Sequence, residues 1–343
     1  MINQLNNCFK VSSFALALLL VPACTEDSDI TPLVLGADVI KFTQDGLYPE
    51  GVQYDTQRKR FLVSSETRGT IGQVQDDGKG NGTYQPFAAD QRLISTVGLK
   101  LDATRNRLLA AVSDPGYNTA FSTAATKGKL AALAVIDLNG GAVASYVNLS
   151  NLRPTDAGHF ANDVAVDNAG AAYVTDSFAP VIYRVGFATD GTPTANVLVE
   201  NPQFQAPAGA FGLNGIVFHP DGYLLVAKSN DGTLYKVTLT SPATVTKVTT
   251  STSLVGADGL LLQDNSTLLV VTNSQSKVYR LTTSDNWANA ASNASATTTA
   301  GVYPTTLTKR SSTETYVLYS HLNALQSGQT PAVTEFTINK ISF

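Results

Sequence analysis

One unit recurs six times along this chain, and it limits the fold more than any other feature. Each copy has a small polar anchor, an alternating strand, a turn rich in Asp, Asn or Gly, and a second apolar strand. Glu50-Gly-Val-Gln-Tyr-Asp55 runs through TQRKR into FLVSSE. Gly98-Leu-Lys-Leu-Asp102 runs into LLAAVSD, and Asn162-Asp-Val-Ala-Val-Asp167 into AAYVTDS. Asn214-Gly-Ile-Val-Phe-His219 leads through PDG to YLLVAKSN, and Asp258-Gly-Leu-Leu-Leu-Gln263 through DNS to TLLVVTNS. Thr305-Thr-Leu-Thr-Lys309 leads to TYVLYSH. The anchors lie 48, 64, 52, 44 and 47 residues apart.

Most copies continue into a third strand, such as VIYRVGF, TLYKVTL or KVYRLTT, and a fourth precedes the next anchor. Four strands in roughly 40 to 50 residues make a propeller blade. The expectation is an all-β, six-bladed β-propeller with four antiparallel strands per blade, over residues 34–343. An open sandwich of short strands is the competing architecture. A strand within Leu33 to Thr43 is placed to pair with the C-terminal strand near Val333 to Phe343, closing the ring and removing sheet edges. Helical periodicity is absent apart from one expected turn of helix at Asp285 to Ala291.

The chain begins differently. Phe14 to Ala23 is an apolar run of about ten residues, half of what a membrane-spanning helix needs. It reads as a cleaved signal peptide over residues 1–23. Val21-Pro-Ala-Cys24 is similar to a lipobox, which implies a lipid on Cys24 and a cell-envelope lipoprotein, with simple secretion as the alternative. Residues 24–33 read as a tether. With Cys8 lost in the leader, Cys24 has no intrachain partner, so a large core must stabilise the protein.

Composition excludes several classes. With 43% hydrophobic residues the chain is not disordered. A net charge of −4 gives no basic face for nucleic acid. P-loop, dinucleotide and G-x-S-x-G motifs are absent. A monomer that takes a small-molecule substrate or ligand is the expected state.

In a propeller the first strands line the central channel, so the anchors converge on one mouth. Glu50, Asn162, Asn214 and Asp258 bring carboxylate and amide oxygens, the donors that Ca2+ or a similar divalent cation prefers. Each alone is explained as a turn-former; four at equivalent positions point to a metal site. His159, three residues before Asn162, is a candidate general base. Asp163 is placed to orient a ligand, and His219 reads as structural. The second strands end in Glu66, Asp114, Asp176, Asn230, Asn273 and His321, a polar ring of larger radius. Phe160, Phe178 and Phe211 are candidates for an apolar pocket wall.

PEG at Glu50, AND at Asn162, LNGIVFHPDG at Asn214 and ADG at Asp258 together resemble the gluconolactonase, regucalcin and senescence-marker-protein family, over residues 45 to 325. The resemblance implies a six-bladed propeller with one divalent metal, often calcium, held by Glu50, Asn162, Asn214 and Asp258. It also implies a catalytic part for Asp258, as base or nucleophile. Val52 stands where that family has Pro and Val164 where it often has Gly. The Arg and Glu that hold sugar lactones there have no clear counterpart. The function implied is metal-dependent hydrolysis of a lactone or ester, with phosphotriesters as a side activity. A non-catalytic propeller with calcium as a structural ion is the alternative.

Overall fold

The computed structural model describes residues 36–343 of the chain. The leader, the lipidation site and the tether lie outside those residues, as does the beginning of the strand expected from Leu33. The pairings sort the described strands into six antiparallel units of four. The first runs from Val52–Asp55 outward to Gly82–Ala88, and the second from Ser95–Asp102 to Val143–Asn148. The third runs from His159–Val166 to Pro193–Glu200, and the fourth from Leu213–His219 to Val245–Thr250. The fifth runs from Ala257–Asp264 to Asn289–Thr297. The inner strands touch one another in cyclic order, and the sixth, Pro304–Lys309, meets Val52–Asp55. The fold is a β-propeller.

The sixth unit closes the ring. Its own chain supplies Pro304–Lys309, Thr315–Tyr319 and Glu335–Lys340. Its outermost strand, Val39–Thr43, comes from the other end of the sequence and pairs antiparallel from Val39 opposite Asn339 to Thr43 opposite Glu335. This is the closure expected from the sequence. The backbone N–H of Gly36 donates to Glu314 Oε1 at 2.8 Å, which binds the incoming chain to the same unit.

Second strands read as continuous apolar runs because neighbouring units cover both of their faces. All residues of Arg60–Val63, Ala172–Asp176, Tyr223–Lys228, Thr267–Thr272 and Thr315–Tyr319 are buried. Outer strands alternate, as Val39–Thr43 does, with Ile40 and Phe42 turned inward.

The helical turn expected at Asp285 to Ala291 is not there. Asn286 and Trp287 are in the left-handed region (φ 57° and 63°), which breaks a right-handed helix. Asp285 Oδ1 instead accepts the N–H of Asn289, the first residue of a strand. Trp287 is buried, with Nε1 donating to Asn265 O at 3.1 Å. The α-helix among the described residues is one short turn, Leu322–Gln326, unforeseen in the sequence.

Closure depends on Phe42, which is buried against Phe336 (ring centroids 6.0 Å apart) and Tyr84 (6.4 Å). Phe42→Ala is expected to cost about 3–5 kcal/mol, read as a lower urea midpoint at unchanged slope. A loss below about 1 kcal/mol would mean the closing strand adds little.

Candidate metal centre

Five of the six inner strands break register at the same place. The shifts fall between Thr96 and Leu99, Ala161 and Val164, Leu213 and Ile216, Ala257 and Leu260, and Pro304 and Leu307. Each gap holds two residues, the mark of a β-bulge, a device that re-aims side chains. The pairs are Val97-Gly98, Asn162-Asp163, Asn214-Gly215, Asp258-Gly259 and Thr305-Thr306. In the first unit the equivalent pair is Glu50-Gly51, just before the strand. Both of its N–H groups donate to Ser64 Oγ, at 3.1 and 2.7 Å.

The second residue of each pair faces the neighbouring strand, where space is short. A Cβ on Gly51 would lie 2.5 Å from Val97 O, and one on Gly98 would lie 2.5 Å from Asn162 O. One on Gly215 would meet Asp258 O. Glycine is therefore needed at these positions. The same contacts correct one anchor. Val97, not Gly98, is the second unit's equivalent of Glu50 and Asn162, one residue earlier than its repeat suggests. Asp163 fills the glycine position of the third unit and uses it as a clamp. It accepts the N–H of Val164 at 2.8 Å and, across the interface, that of Ile216 at 3.1 Å. This fixes the chain beside Asn162, through backbone N–H groups and not through the side chain of a candidate ligand.

The first residues of the pairs line one cavity. Glu50, Asn162, Asn214 and Asp258 share it with Val97, and all four are buried. Thr305 is spent elsewhere, its Oγ1 donating to Glu50 O at 2.7 Å. Glu66, Ser229 and Asn273 add polar groups to the wall, while Pro115, Tyr117, Phe160, Phe211, Tyr303 and Leu322 make it largely apolar. The long loop of the second unit contributes Pro115 and Tyr117 to the wall and leaves the cavity open above its floor.

Among the described residues, ten buried side-chain polar atoms lack a hydrogen-bond partner. Four of them are Glu50 Oε2, Asn162 Oδ1, Asn214 Oδ1 and Asp258 Oδ1, and Glu66 Oε2 is a fifth. Native proteins rarely leave such groups unpaired, because each costs its full desolvation. Here the orphans are all acceptors in one cavity that no Lys, Arg or His lines. A bound cation would satisfy them together. Among the described residues no three or more His, Cys, Asp or Glu side chains are placed to hold a metal ion by themselves. The donor set is two carboxylates and two amides, which fits a hard, oxygen-seeking divalent cation.

Burial and like charge dominate the electrostatics. Burial first, then the charges of Asp258, Asp163 and Glu66, push the Glu50 carboxyl well above its ordinary range. Burial lifts Asp258 to about 7, although Asn273 Nδ2 donates to its Oδ2 at 2.9 Å and opposes the rise. Burial and the charge of Asp258 lift Glu66 to about 8.

His159 stands apart from the cavity and does not join the four oxygen donors. Its Nδ1 lies 2.8 Å from Asp176 Oδ2 and its Nε2 lies 3.0 Å from Arg153 O, so both ring nitrogens are engaged. Burial disfavours its charge, yet the bonds to Asp176 leave its pKa raised. Asp176 Oδ1 also accepts the N–H of Phe160, Phe178 and Ala179. The pair fixes the chain that enters the Asn162 strand. Of the outer ring, Glu66 and Asn273 reach the cavity, whereas Asp114 is tied to Ser122 and Thr126 of its own loop. His219 is structural, bonded to Asn265 O at 2.8 Å and stacked on Tyr223. His321 is in the left-handed region just ahead of the short helix. Tyr117, Tyr303, Leu322 and Gln326 come from loops and that helix, where no repeat marks them.

Neither a family model nor a curated protein matches this chain. Solved structures do. The Malassezia sympodialis allergen Mala s 1 superposes with a TM-score of 0.71 at 18% identity, covering 89% of this chain and 96% of the allergen. A gluconolactonase from Xanthomonas campestris gives 0.55 at 13% identity, covering 88% of this chain and 89% of its own. Regucalcin from Agrobacterium tumefaciens, described as a calcium-binding protein, gives 0.53 at 16%, with 87% and 92% covered. The chain has the gluconolactonase and regucalcin fold. At these identities the likeness concerns the fold.

The raised carboxyl pKa values have a stability consequence. A carboxyl whose folded pKa exceeds its unfolded one favours the folded state at low pH, and this is lost as pH rises through the folded value. Chelator-stripped protein should therefore lose melting temperature between about pH 4 and pH 8, and calcium should restore more of it at pH 8 than at pH 5. A melting temperature in chelator that rises steadily across that window would contradict the assignment.

Proposed function

We propose that this chain is a metal-dependent hydrolase that opens a lactone or ester at a divalent cation, Ca2+ by donor chemistry. Glu50, Asn162, Asn214 and Asp258 would hold the ion. The observation that carries this reading is the set of four orphaned oxygens on residues that line one cavity. Likeness to a gluconolactonase and to a calcium-binding protein adds support.

Bound there, the cation would polarise a carbonyl oxygen and steady the charge that grows on it during attack. The residues supply the rest. Asn273 holds Asp258 through Oδ2 and so fixes Oδ1, the oxygen it would offer to the cation, beside which a water would approach the carbonyl carbon. The water oxygen bonds to that carbon, the ester C–O bond breaks, and the proton passes to the departing oxygen. The product is a hydroxy acid from a lactone, or an acid and an alcohol from an ester. The apolar wall limits competing water. The leader and Cys24 support a setting outside the cytoplasm, in the cell envelope or secreted, where the chain would act as a monomer.

A non-catalytic propeller with calcium as a structural ion is the second reading. His159 favours it, since both of its nitrogens are tied and the cavity has no base beyond its carboxylates. Turnover separates the two. With calcium, a panel of lactones and aryl esters should include one that is hydrolysed. Chelation should abolish that activity, and Asp258→Ala should lower kcat/KM by about 100-fold or more. Stoichiometric calcium binding with no turnover across the panel would favour the structural ion.

A further inference from the structure

We infer that the cavity selects a neutral ligand with a flat apolar ring, such as an aromatic lactone or aryl ester, and that Phe211 is its specificity-determining contact. This rests on the hydrolase reading of the same site and names its substrate class. Above the polar floor the wall is Val97, Phe160, Phe211, Tyr117, Tyr303 and Leu322. No Lys, Arg or His lines the cavity, so an anionic ligand has no side-chain counter-charge there. A polyhydroxylated ring fares no better. Ser229, Gln326 and the hydroxyls of Tyr117 and Tyr303 offer it a few partners, and its remaining hydroxyls would leave water for rings and alkyl groups, unpaired.

The aromatic side of the wall is built to stay in place. Phe160 meets Phe211 edge-on, with centroids 5.2 Å apart and planes at 84°. Phe178 packs behind both, 5.4 Å from Phe160 and 5.3 Å from Phe211. Asp176 holds the N–H groups of Phe160 and Phe178. The peptide that joins Phe211 to Gly212 is pinned at both of its polar groups, by Asn230 N–H on Phe211 O and by Gly212 N–H on Ser177 O. Yet Phe211 is 37% exposed among the described residues, a large apolar face that lines the cavity. Tyr117 is 36% exposed in the same wall. A rigid apolar face of this kind offers a flat ring contact area at little cost in ordering.

The test uses the calcium-loaded full chain and two probes of opposite character, coumarin and δ-gluconolactone. Calorimetry should show coumarin binding, unaffected by excess δ-gluconolactone. Phe211→Ala should weaken it about tenfold, and Phe211→Tyr should restore it. The exposed position keeps both variants folded, which their melting curves would verify. No coumarin binding, displacement by δ-gluconolactone, or unchanged affinity in Phe211→Ala would overturn the inference. Turnover separates it from the reading beneath it. Coumarin binding as expected, with no turnover of dihydrocoumarin or of any other lactone or aryl ester in the panel, sustains the inference and removes the hydrolase. Faster hydrolysis of δ-gluconolactone than of dihydrocoumarin does the reverse.

Discussion

Inner strands from the six units meet around one axis, and at one level there is room between them for little more than a hydrogen atom. Gly51, Gly98, Gly215 and Gly259 occupy that level, where a Cβ would strike the next strand. Asp163 and Thr306 are the two exceptions, and Asp163 turns its side chain into a clamp on Ile216. Because the second residue of each bulge must face the neighbour, the first must face the channel. The packing constraint and the site are therefore one feature. Asn162, Asn214 and Asp258 are delivered to a common cavity by the same bulge that lets the strands approach, and Glu50 joins them from the pair just ahead of its strand, held there by Ser64.

What the bulge delivers is costly on its own. Glu50 and Asp258 are buried together with Glu66 close by, and no cationic side chain lines the cavity. Burial raises all three carboxyls, and neighbouring charge adds to it, from Asp258, Asp163 and Glu66 on Glu50, from Asp258 on Glu66 and from Asp163 on Asp258. A fold that maintains such an arrangement gives up stability that ordinary packing would have kept. Closure by Val39–Thr43 and the continuous apolar second strands supply the rigidity that makes this tolerable. A cation at the floor would convert the most unfavourable part of the interior into its best-paired part, and the ring of bulges would hold it as a fixed electrostatic centre.

Much of this is legible in the sequence, for a physical reason. Repetition makes each unit's strand order visible, and the glycine after the anchor recurs because the packing demands it. The anchors of the first, third, fourth and fifth units follow directly. The second unit misleads by one residue, since Val97 is apolar and the search for a polar anchor settles on the glycine beside it. His159 misleads differently. Its nearness to Asn162 in sequence suggests the cavity, but on that strand it is drawn to Asp176 and Arg153 instead. The wall residues Tyr117, Tyr303 and Leu322 come from segments outside the repeat, so no periodicity announces them. The left-handed turn at Asn286 and Trp287 likewise depends on where the indole can be buried, a tertiary matter.

The central claim is that Glu50 and the three bulge residues Asn162, Asn214 and Asp258 form one divalent-cation site. Calorimetric titration of calcium into chelator-stripped protein, beside Glu50→Gln and Asp258→Ala, tests it most directly. One equivalent should bind to the parent protein, and both variants should lose that binding while keeping a cooperative melt. No binding of calcium, magnesium or manganese to the parent protein would contradict the account, as would binding that survives in both variants.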